Sequence, residues 1–81
     1  MNMERAAMRG KLAELTERRI RLRHRITGQA DALRARLNTA LFPPDELDVP
    51  VMDEQFDTLK AAWTELAVVN ADIERLQKEL E

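Results

Sequence analysis

The chain has 81 residues, three of them aromatic and none of them cysteine; 35% are charged, and the net charge is −2. A chain this short forms one small domain at most, and its core alone gives only marginal stability. Lacking disulfides and thiolate metal ligands, it must rely on regular helix packing or on self-association. No stretch has the length and apolarity of a membrane span, and the amino terminus has no hydrophobic signal core. The expected setting is therefore cytoplasmic, with no membrane partner.

The charge is divided along the chain. Residues 1–42 hold ten Lys and Arg against four Asp and Glu, a balance of +6, whereas residues 43–81 hold three against eleven, a balance of −8. A chain split in this way either pairs its halves or offers each to a different partner.

The first predicted element is a helix over residues 3–41. Its apolar residues are Met8, Leu12, Leu15, Leu22, Ile26, Ala30, Leu33, Leu37 and Leu41, in steps of three and four, with Arg19 in the one gap. That spacing is an amphipathic helical stripe, and Ala, Arg, Leu and Glu fill most of the rest. Gly28 is the weak point, at about 1 kcal/mol less favourable than alanine in a helix interior.

Within this helix lies Arg18-Arg19-Ile20-Arg21-Leu22-Arg23-His24-Arg25. A helix that grips nucleic acid needs its basic residues on one exposed face. At about 100° per residue, Arg19 falls near the middle of the apolar stripe. Arg23 flanks it on one side, Arg18 and Arg25 on the other; Arg21 lies farther out, and His24 points away. The arginines ring the helix. Glu14 and Glu17 stand four residues before Arg18 and Arg21, the favourable order for helix ion pairs.

The connection is residues 42–50, where three prolines interrupt any helix. Pro44-Asp45-Glu46-Leu47 has the makings of one isolated helical turn. The second predicted helix covers residues 51–80. Met52, Phe56, Leu59, Trp63, Leu66, Asn70, Ile73, Gln77 and Leu80 keep the three-and-four spacing, widened on one side by Ala62, Val69 and Leu76. Asp53 is a possible cap, and Pro50 a possible first helical residue.

Two amphipathic helices with a short link imply an all-α, coiled-coil-like antiparallel hairpin, one domain over residues 1–81. The stripes suggest Leu41 opposite Met52, Leu37 opposite Phe56, Ile26 opposite Leu66 and Leu12 opposite Leu80. The first ten residues or so then overhang, leaving Met3, Ala7 and Met8 uncovered. Leu22, Ile26, Leu33, Leu37, Phe56, Leu59, Trp63, Leu66 and Ile73 are the expected packing anchors, with Trp63 received by Ala30. A hairpin leaves the outer edge of each stripe wet, so a second copy completing a four-helix bundle is the expected partner.

In this register Glu65, Asp72 and Glu74 approach the arginine segment, and an internal charge match is the preferred reading of that segment. The alternative is a basic surface of Arg5, Arg9, Arg21, Arg25 and Arg34 for nucleic acid or an acidic protein. No aromatic residue is interleaved for base stacking, and the acidic half would repel a polyanion. Arg19, Asn70 and Gln77 interrupt the stripes and Gln29 borders one, which suggests a polar layer that sets register or oligomeric state.

Little points to chemistry. One histidine and no cysteine make a zinc site of usual ligand type improbable. There is no Gly-rich phosphate loop and no serine, and no cofactor is expected. The expected role is a non-enzymatic interaction or assembly module.

The run Met3-Glu4-Arg5-Ala6-Ala7-Met8 through Arg25-Ile26, followed by a proline break and a second amphipathic helix, resembles short helical proteins of unknown function from Mu-like prophages. That resemblance implies a bacterial cytosolic setting and an accessory role. The architecture is also similar to small RNA-binding hairpin dimers, an analogy of fold alone.

Overall fold

A computed structural model describes residues 3–81. Two long helices, α1 (Met3–Arg36) and α2 (Val49–Leu80), flank a single 3-10 turn at Pro44–Glu46. They pack against each other as an antiparallel hairpin of 65 × 16 × 15 Å. At the open end the Arg5 guanidinium donates to the Leu80 carbonyl at 2.7 Å. No strand occurs among the described residues.

α1 ends at Arg36, five residues before the expected boundary. The Asn38 side chain accepts a hydrogen bond from the Ala40 amide at 2.9 Å, and its carbonyl accepts from Leu41 and Phe42. Asparagine thus offers the backbone a turn in place of the next helical bond. Pro43 also disfavours the helical region for Phe42. At the other side of the link, the Asp48 carboxylate accepts from the Val51 amide at 3.2 Å, and Pro50 occupies the first turn. Asp48, not Asp53, is therefore the cap, and α2 starts two residues earlier than expected. The isolated turn expected from Pro44 is present as the 3-10 helix.

These two boundary changes correct the register. The Arg5 guanidinium reaches the Leu80 carbonyl, so the end of α2 lies beside the start of α1, farther along than the expected pairing of Leu80 with Leu12. A shift of seven keeps a three-and-four stripe on its partner stripe, so periodicity alone does not distinguish the two pairings. The observed helix ends differ from the expected ones in the same sense: α1 stops five residues earlier and α2 starts two residues earlier. Of the three residues expected to lack cover, Met3 and Ala7 are exposed, whereas Met8 packs on the core.

The core lies toward the open end. Leu15, Leu22, Val69, Ile73 and Leu76 form it, with Met8, Leu12 and Leu66 packed alongside. Leu22 and Ile73 are its most enclosed members, each about 2% exposed. Toward the connection only Met52 and Ala62 are buried. The hairpin is thus closed over one half of its length and open over the other.

Candidate interaction surface

The seam between α1 and α2 has two sides. On one side Ile26, Ala30, Phe56, Leu59, Lys60 and Trp63 line a groove of about 410 Å³. All but Lys60 are apolar. On the other side a second groove is bordered by Arg25, Gly28, Gln29, Ala32, Gln55 and Thr58. The first groove brings five apolar side chains, two of them aromatic, to one concave surface.

Three of the expected anchors stand exposed, Trp63 and Phe56 in this groove and Leu37 just past the end of α1, which corrects their place in the chain. Trp63 is 62% exposed, Phe56 52% and Leu37 53%. Trp63 and Ala30 do border the same groove, but the indole lies open in it instead of being enclosed. Ile26, Leu33, Leu59 and Leu66 are half-buried, and Leu22 and Ile73 are buried. Leu15, Val69 and Leu76 of the core, and Met52, which is buried apart from it, are legible only as stripe members or as the widened edge of α2. Leu41 lies beyond α1 and is exposed, so its expected pairing with buried Met52 does not form.

Positions seven apart explain why the groove stops where it does. Along α2, Val49, Phe56 and Trp63 are followed on the same line by Asn70 and Gln77, both exposed. From Leu37, just past the end of α1, the line continues through Ala30 and then, toward the open end, Arg23, Thr16 and Arg9. On both helices the outer line is apolar beside the connection and polar beyond it. This side of the hairpin therefore carries an apolar half and a polar, arginine-bearing half.

The expected polar layer is not assembled within the hairpin. Asn70 and Gln77 face solvent, while Arg19 and Gln29 are half-buried. Arg19 Nε and Gln29 Oε1 are enclosed without a hydrogen-bond partner in the chain, as is Oε1 of Gln55, a residue that periodicity did not single out. Gln29 and Gln55 border one groove from opposite helices. Enclosed polar atoms left unpaired in this way are uncommon and weaken a monomer.

The charge match is present at one point. Arg18 and Glu65 form an ion pair between the helices. The other ion pairs among the described residues lie within one helix: Lys11 with Glu14, Arg34 with Asp31, Arg75 with Asp72 and Glu79, and Lys78 with Glu74. Glu14 thus lies against Lys11 instead of Arg18, and Asp72 and Glu74 against neighbours on α2. The proposed basic surface is not gathered. Arg5 binds the Leu80 carbonyl and Arg34 binds Asp31. On the helical wheel Arg5, Arg9 and Arg34 fall on the side of the apolar groove, and Arg21 and Arg25 on the other.

No helix among the described residues is long and apolar enough to cross a membrane. Comparisons with protein-family models, with curated proteins and with solved structures give no match.

Proposed function

We propose that the chain is a non-enzymatic assembly module that dimerises through the groove of Ile26, Ala30, Phe56, Leu59 and Trp63, forming a coiled-coil-like four-helix bundle. The observation that carries this reading is the exposure of Phe56 and Trp63 in one apolar groove. Aromatic residues in such a place are what the centre of an interface uses.

The occupant follows from area. The hairpin exposes 6167 Å², whereas a compact monomer of its mass exposes about 5,000 Å². The excess is on the order of 1,000 Å² per chain, close to the 800 Å² or so that each partner buries in a stable dimer. A second copy supplies the same apolar line back to the first, which satisfies a twofold interface with a single surface. Sedimentation equilibrium tests this: a mass of two chains supports it, and a folded single chain at all concentrations contradicts it.

A second reading keeps the arginines in view. Arg21, Arg23 and Arg25 take part in none of the ion pairs among the described residues, which favours a polyanion as a further ligand of α1. Binding to generic DNA or RNA that falls steeply with salt, and that is lost in an Arg21→Glu, Arg25→Glu variant, would support it. No binding at low salt would remove it. Either role suits a small phage-derived accessory protein working in the cytoplasm.

A further inference from the structure

We infer that the two hairpins of the dimer run in opposite directions and overlap only over their connection halves, so that the acidic connection of each seats on Arg19 and Arg23 of the other. This rests on the self-association proposed above and adds its geometry.

The first support is the extent of the apolar line. It runs from Trp63 to Leu37 and Val49, and it gives way to Asn70, Gln77, Arg23 and Arg9 toward the open end. Full overlap of opposed hairpins would press each apolar half onto the partner's polar half. Overlap confined to the connection halves limits such contacts to Leu37 against Arg23, with the twofold axis near Ala30 and Phe56.

The second support is charge. Between Asp45 and Asp57 lie six acidic residues and no basic one. If the hairpins ran in the same direction, these two acidic ends would lie side by side, and like charges at close range oppose association. In the opposed arrangement the connection, about nine residues beyond the axis, lands about nine residues on its other side. At about 1.5 Å per residue that is roughly 13 Å from the axis, level with Arg19 to Arg23.

The third support is Arg19 itself. It is half-buried on the groove side of α1, and the exposed Arg23 beside it is in none of the ion pairs among the described residues. Carboxylates of Asp45, Glu46 or Asp48 arriving from a second copy would meet these groups, and an arginine fork suits carboxylate partners. An arginine at the middle of the stripe then has a reason: it marks where the partner's connection ends.

The test is a charge swap between chains. One chain carries Arg19→Glu and Arg23→Glu; the other carries Asp45→Lys and Glu46→Lys. Each alone juxtaposes like charges at both contacts, and association should weaken by about tenfold or more. Mixed together, both contacts regain opposite charges, and heterodimers should form well beyond the statistical half. A second measurement places a spin label at Ala13→Cys in the otherwise cysteine-free chain. Ala13 lies 17 residues from Ala30, so the opposed dimer predicts a label separation of about 50 Å at about 1.5 Å per residue. Statistical mixing, or a separation under about 35 Å as expected for two hairpins side by side in one direction, would overturn the offset arrangement while leaving dimerisation standing. A monomer at every concentration would overturn the self-association reading as well.

Discussion

Phe56 and Trp63 stand seven residues apart on one line of α2 and border the same groove, each with more than half of its surface exposed. The hairpin's own core, built on Leu22 and Ile73 toward the open end, does not include them. Folding of the hairpin and the proposed association of two hairpins would therefore rest on different residues, and substitutions should separate the two.

Phe56→Ser with Trp63→Ser should dissociate the dimer and keep the helices. Truncating aromatic anchors at an interface weakens it by about 2 kcal/mol or more, roughly 30-fold in affinity. Far-ultraviolet circular dichroism at low temperature should retain its helical signal, while the thermal midpoint should lose its dependence on protein concentration. Loss of the helical signal would show that the groove residues hold the hairpin itself.

Ile73→Ala should act on the fold instead. Removing a buried branched side chain costs about 2–5 kcal/mol, and in a chain this small that is a large share of the stability. Val68→Ala, at an exposed position five residues away, should change stability by less than about 0.5 kcal/mol. Equal effects in denaturant titrations would contradict the placement of the core.

The helices and their pairing are legible in the sequence because a stripe of period 3.6 has one physical meaning over thirty residues. The register is not, since sliding by seven residues keeps Leu12, Leu15 and Leu22 on the stripe of α2. The helix ends beside the connection are set locally, by the Asn38 turn and the Asp48 cap, two side-chain bonds to backbone amides. Both residue types are turn and cap formers, so the signal was there, outweighed by the pull of Leu37 and Leu41 toward a longer helix. Trp63 shows a second limit. Periodicity places it on an apolar line but does not say whether its own chain or another covers it. Glu65 was legible as a partner of the arginine segment, and it meets Arg18.

Gly28→Ala should stabilise the protein. Gly28 lies inside a continuous helix, and a methyl group added there meets nothing within 4 Å. Alanine restricts the unfolded chain and favours the helix, for a gain of about 0.4–1 kcal/mol. Thermal unfolding at fixed concentration checks it; a lower midpoint would reveal a requirement for glycine at that groove.

The Arg18–Glu65 pair should contribute little stability. Its side chains are 45% and 36% exposed, and exposed pairs couple by about 0.2–1 kcal/mol. A double-mutant cycle with Arg18→Ala and Glu65→Ala should return a coupling below about 1 kcal/mol that shrinks as salt is added. A larger, salt-independent coupling would mean that the pair is enclosed by a second chain.

Self-association through the Trp63 groove is most directly tested by the mass of the wild-type chain in solution, followed together with Trp63 fluorescence across a dilution series. Twice the 9.4 kDa chain mass, with the indole emission shifting to longer wavelength as dilution dissociates it, is the predicted result. A helical monomer whose Trp63 emission is the same at every concentration would contradict it.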